Sequence, residues 1–329
     1  MQFRTTIDIK PFDRKIDHTQ PILSLGSCFA SHMAERLSRA KFPITAAPTG
    51  ILFNPESIAA ALDRFDAVAR GDSGALPTAE DLTFGNGQWF SFDFHSDFSH
   101  PDATEALAAM QSAVNVGAQA LRDAQVVIIT LGTAFAYRHR QSGEIVANCH
   151  KQPHSLFVRE MMSAEQIAAR YIALAHGQLA GKQVIFTVSP VRHLSDGLEL
   201  NSLSKATLRV AIDLVQRACP NVCYFPSYEI QMDELRDYRF YADDMTHPSL
   251  MAVDYIWQRF SHVAFSADTQ TLNERIERIV KASEHRPFNS ASLEHKSFCA
   301  TQLEKIAQLE SEQSHICMAK EKEYFNTYL

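Results

Sequence analysis

The chain is 329 residues long, 46% hydrophobic and 21% charged, with a formal net charge of −7, enough apolar material for one large core and an appendage. No basic run offers a nucleic-acid footprint, and the acidic balance works against phosphate-backbone partners. The N-terminal residues lack the apolar run of a signal peptide, and no stretch of about 18 apolar residues occurs, so no membrane span is expected.

The first predicted element is a buried strand at residues 22–25, followed by a helix that repeats Phe29, Met33 and Leu37 every four residues. Residues 72–101, rich in Gly, Asp and Phe, read as a long insertion with a short hairpin at 88–94. A second strand at 126–131 leads to a helix opened by Ser163, with Gln166 completing a capping-box pattern and Gly181 as a stop. A third strand at 184–188 precedes NSLSKATLRVAIDLVQRA, which repeats Leu208, Ile212 and Val215 and ends at Pro220. A fourth, at 222–225, is followed by a helix from near Ser249 that carries Val253, Ile256, Trp257 and Phe260. These strands are short, apolar runs with little alternation, as expected when helices cover both faces of a parallel sheet. Strand–helix alternation of this kind predicts a doubly wound α/β domain over residues 1–268. From 269 to 329 the chain is polar, with helical spacing in Leu303, Ile306 and Leu309, and reads as a helical appendage through which homo-oligomers could form. The six cysteines contain no CxxC pair, which favours reduced thiols and a cytoplasmic location.

The chemistry begins at LSLGSCFASHM. Gly26 permits a tight turn after the first strand, and Ser27 then stands at a helix entrance in the crevice where doubly wound sheets bind ligands. Backbone N–H groups left unpaired at a helix start can stabilise developing negative charge. The same position also suits a plain N-cap serine. Far downstream, in YADDMTHPSL, Asp244 lies three residues before His247. That spacing can bring a carboxylate to one imidazole nitrogen and leave the other to accept a proton from a serine. Asp243 fits the spacing less well, and the alternative for Asp244 is a simple helix cap.

At this point the sequence resembles the GSCFA family, a branch of the SGNH (GDSL-like) hydrolase superfamily. The resemblance is carried by Gly26-Ser27-Cys28-Phe29-Ala30, PTGILFNP (48–55), TLGTAFAY (130–137), ANCHKQP (147–153), TVSPVRH (187–193) and SYEIQMDELRDYRFYADDMTHPS (227–249). It spans roughly residues 15–265. It implies a flavodoxin-like α/β/α sandwich with a mostly parallel sheet, and acyl-ester chemistry without a cofactor. Ser27 corresponds to the nucleophile, His247 to the general base and Asp244 to its orienter. Gly50 corresponds to a glycine whose N–H joins that of Ser27 in an oxyanion hole, the alternative being an ordinary turn glycine. The superfamily's third donor, an asparagine in Gly-x-Asn, is missing from Gly132-Thr133-Ala134, so either the Thr133 hydroxyl or Asn148 is expected to substitute.

Arg192 and His193, at the end of the third strand, together with His150 and His95, are expected to line the pocket. Cys28 points about 100° away from Ser27 on a starting helix and reads as a packing thiol. No zinc spacing is completed by His95, His100 or His150, so no metal is expected. The expected function is a serine-dependent esterase acting on a small acyl ester, with an acylated carbohydrate preferred over a lipid by fold analogy. Acyl transfer to a sugar hydroxyl, or a non-catalytic ligand-binding module on the same fold, are the alternatives.

Overall fold

A computed structural model of the chain describes residues 4–290 and 292–329. In chain order the strands are β1 (Ile22–Gly26), β2 (Ile44–Ala46), β3 (Thr83–Gly85), β4 (Gln88–Phe90), β5 (Val126–Leu131), β6 (Phe135–His139), β7 (Ile145–Val146), β8 (Phe157–Met161), β9 (Gln183–Val188) and β10 (Val222–Tyr224). The α-helices are α1 (Cys28–Arg39), α2 (Pro55–Ala69), α3 (Ala103–Asp123), α4 (Ala164–His176), α5 (Gly197–Ala218), the single turn α6 (Ser227–Glu229), α7 (Leu250–Ala264), α8 (Ala267–Glu284), α9 (Leu293–Glu312) and α10 (Ala319–Asn326).

The four expected strands pair in parallel and gain β2 at one edge, in the order β10-β9-β5-β1-β2. The side chains of this sheet alternate between two cores. Leu23, Leu25, Val127, Ile129, Val184 and Phe186 face α2, α3, α4 and α5, whereas Ile22, Val126, Ile128 and Ile185 face α1 and α7. The result is a three-layer α/β/α sandwich. Counting only strands of this sheet, the order is 2-1-3-4-5, and the chain reverses its direction of travel between β1 and β5. The carboxyl ends at such a switch point form the ligand crevice of open α/β sheets.

Several local expectations shift. Ser163 and Gln166 do form the capping box, but α4 is closed by Gly177, and Gly181 sits in the turn before β9 with φ +76°. The hairpin lies at 83–90, one turn earlier than expected. Asn86 and Gly87, at φ 54° and 77°, form its two-residue loop, and paired left-handed residues match the twist of the flanking strands. Residues 135–161 form a small antiparallel sheet, β7-β6-β8, beyond the end of β5. The expected boundary at 268/269 falls in the first turn of α8, whose cap is Ser266. Helices α8, α9 and α10 share a core of their own, including Ile276, Ile279, Ile306, Leu309 and Phe325. They dock on the end of α1, where Arg39 binds Glu277 at 3.0 Å and also Glu284, and Lys41 meets Glu321 at 2.7 Å. Among the described residues, no helix is long and apolar enough to cross a membrane.

Candidate active site

Gly26 ends β1 with φ +134°, and a Cβ there would stand 2.1 Å from the Thr130 carbonyl oxygen. Only glycine lets β1 run this close to β5 as it turns. Ser27 follows in extended conformation at the N-cap of α1, donating its N–H to Thr130 O at 3.1 Å. Its side chain does not cap the helix. Ser27 is 1% exposed, and among the described residues its hydroxyl has no hydrogen-bond partner. A buried hydroxyl left unpaired costs about 1–3 kcal/mol, whereas capping would have satisfied it. The Cys28 and Phe29 N–H groups, at the open start of α1, have no internal helical partners either.

Two other segments close on this turn. Leu52 donates to Gly26 O at 3.0 Å, and Phe53 O accepts from both Gly132 and Thr133, at 2.9 and 3.1 Å. Gly132 backs directly onto the serine, since a Cβ on it would lie 3.4 Å from Ser27 Cβ. Ser27, Phe53 and Gly132 thus meet at the β1–β5 switch point.

Asp244 and His247 are joined as their spacing predicts. Asp244 Oδ1 accepts the Thr246 and His247 N–H groups, each at 2.9 Å, while Oδ2 lies 2.6 Å from His247 Nδ1. The backbone bond from His247, then its ring, then Thr246 pull the carboxyl down to about 2. Asp243 takes no part in this contact. The loop is tied to the end of β9, where Arg192 donates its N–H to Thr246 O at 3.1 Å and lays its guanidinium 4.1 Å from the Tyr241 ring centre. His247 is close enough to His193, and to His32 one turn along α1 from Ser27, to disfavour protonation of both. Burial is the larger cause for each; His193 is taken down to about 4. His247 and Ser27 are not hydrogen-bonded to each other.

Two of the expected oxyanion donors, the Ser27 and Gly50 N–H groups, are otherwise engaged. The Ser27 N–H extends the β1–β5 ladder. Gly50, at φ +84°, donates to Ala47 O at 2.8 Å, and a Cβ on it would meet His95 Cβ at 2.3 Å, so it serves as a turn glycine. The Thr133 hydroxyl pairs with Ser204 at 3.0 Å and accepts from Phe135 N–H at 3.1 Å. Asn148 Oδ1 accepts the His150 N–H at 2.8 Å, a bond that does not use its Nδ2 donor. Beside Ser27, in the first turn of α1, stand the Cys28 and Phe29 N–H groups, which have no intrahelical acceptor.

The expected pocket residues separate into two sets. Arg192 and His193 stand with His247. Asn148 and His150 pack against the aromatic segment after β4, where His150 Nε2 reaches Ser91 O at 2.9 Å and its ring stacks on Phe90, and His95, in that segment, packs against Gly50. Burial pushes the Cys28 thiol up, which suits packing and disfavours a thiolate nucleophile. Among the described residues, no group of three or more His, Cys, Asp or Glu side chains could hold a metal ion.

One polar residue beside the site escaped the motif reading. Lys205 of α5 is 1% exposed and donates to Gly132 O at 2.6 Å and Ser189 O at 2.7 Å. Its signal was periodicity: Lys205 falls three residues before Leu208, on the apolar stripe that continues to Ile212 and Val215.

Compared with models of known families, residues 21–260 match the GSCFA family, and residues 276–329 match the GSCFA domain protein, C-terminal domain. No curated protein matches the chain.

Proposed function

This chain belongs to the GSCFA family, and we propose that it is a serine-dependent acyl-ester hydrolase of the SGNH kind, with Ser27 as nucleophile, His247 as general base and Asp244 as its orienter. The observation that carries the reading is the buried, uncapping, unpartnered Ser27 hydroxyl at the switch point. The Asp244–His247 pair complements it. With Nδ1–H donated to Asp244 Oδ2, Nε2 holds the lone pair and faces outward from the pair.

In this reading Ser27 Oγ attacks the ester carbonyl carbon while its proton passes to His247 Nε2. Charge on the carbonyl oxygen is met by the N–H groups of Cys28 and Phe29, which have no intrahelical acceptor at the start of α1. Collapse expels the alcohol, which takes the proton from His247, and leaves an ester on Ser27. Water then repeats the sequence and releases the acid. A small acyl group on a carbohydrate is the substrate class we assign to it.

The test is labelling with a fluorophosphonate probe, read by intact mass, on the wild type and on Ser27→Ala. One adduct on the wild type that is absent from Ser27→Ala supports the reading, and release of acetate from acetylated sugars would then identify the substrate class. No adduct on folded wild-type protein favours a ligand-binding module on the same fold.

A further inference from the structure

Lys205 belongs to neither the relay nor the expected pocket. Its ammonium is buried, and among the described residues no carboxylate is bonded to it. An unpaired buried charge is costly, and a methionine would fill a purely packing position at lower cost. The groups it contacts give the charge a use. Gly132 and Ser189 are the residues immediately beyond β5 and β9, so both carbonyls belong to the carboxyl edge of the sheet that holds the site. The third direction of the ammonium is toward the Tyr228 ring, 5.8 Å from its centre. Burial draws the Lys205 ammonium down to about 7, so the charge is carried below that pH, and the two carbonyl bonds hold the charged form in place.

The Gly132 and Ser189 carbonyl oxygens lie at the carboxyl edge of the sheet, and without a partner their partial negative charge would oppose any negative charge that forms beside them. One of these two carbonyls belongs to Gly132, which backs onto Ser27. We propose that Lys205 is a positioning residue for acylation of Ser27: its ammonium binds the Gly132 and Ser189 carbonyls, fixes the glycine behind the nucleophile, and places positive charge one peptide group from the developing oxyanion. The same charge adds to burial in disfavouring protonation of the adjacent His193. A cation here supplies part of what the missing third-donor asparagine would otherwise contribute. The proposal rests on Ser27 being the nucleophile.

The experiment compares the wild type with Lys205→Met, Lys205→Gln and Lys205→Arg. It reads the fluorophosphonate saturation constant and limiting labelling rate separately, alongside thermal unfolding. Glutamine keeps a donor but removes the charge, and arginine keeps the charge. The expected result is a limiting rate about tenfold or more lower in Lys205→Gln and Lys205→Met, little change in the saturation constant, and partial recovery in Lys205→Arg. Wild-type rates in either folded neutral variant would overturn the role of Lys205 while leaving Ser27 as nucleophile. So would equal losses in Lys205→Arg and Lys205→Gln. Failure of both neutral variants to fold, with Lys205→Arg folded, would make the charge structural alone and also overturn it. Absence of an adduct on the wild type would instead remove the hydrolase reading, and this inference with it.

Discussion

Asp244 makes three contacts at once, and its two oxygens have different tasks. Oδ1 holds the loop through two backbone N–H groups, and Oδ2 holds the imidazole. The hydrogen bonds that hold its pKa at about 2 keep it charged throughout the neutral range. Asp244→Asn therefore separates the two tasks. The amide oxygen can still accept from Thr246 and His247, but its N–H groups face Nδ1 and shift the ring proton to Nε2. The fluorophosphonate labelling rate is expected to fall by on the order of 10²–10⁴-fold, with the melting temperature within about 2 °C of wild type. Labelling at the wild-type rate would show that the carboxylate does not orient the base. This contact was legible in the sequence because its partners stand three positions apart. The Ser27 hydroxyl was legible only as a position. Capping and nucleophile readings of Ser27 differ in what its oxygen touches, and that depends on β5 and the 50–54 loop, which come from elsewhere in the chain.

At the scale of elements, the start of α2 links the site to the small β6–β8 sheet. Asn54 caps the helix through Ser57 N–H at 2.8 Å, and its amide nitrogen reaches Val146 O at 3.3 Å. The preceding residue, Phe53, receives the Gly132 and Thr133 N–H groups. Asn54→Ala is expected to cost about 1–2 kcal/mol in a denaturant melt and to slow Ser27 labelling, because the segment under Gly132 loses its anchor. A loss of stability with unchanged labelling would confine the cap to a structural role. The helix carried local signals, an asparagine followed by proline at its first position. The small sheet carried weaker ones, because β7 is two residues long and β8 has exposed side chains that break the pattern of a buried strand. The oxyanion donors show the same limit at this scale. Gly50 looks equally suitable as donor or as turn, and the competing acceptor, Ala47 O, becomes evident only once the loop is folded.

For the whole molecule, the C-terminal helices have a separate core and meet the α/β domain largely through charge. Glu321 is 4% exposed and lies 2.7 Å from Lys41, so removing it leaves a cation facing a largely dehydrated surface. Glu321→Ala is expected to cost about 2–4 kcal/mol and to raise the rate of protease cleavage between α8 and α9. Unchanged cleavage would mean that the apolar contacts alone hold this unit in place. The sequence by itself determined the parallel sheet, the place of Ser27 at the end of its first strand and the reach of Asp244 to His247. These follow from short-range periodicity and from partners a few residues apart. Tertiary structure decided that the Ser27 and Gly50 N–H groups are taken by Thr130 and Ala47, that the loop carrying His247 meets Arg192 after β9, and that Lys205 lies behind Gly132. The physical reason is that burial, and competition among hydrogen-bond acceptors, are set by segments that meet only when the sheet assembles.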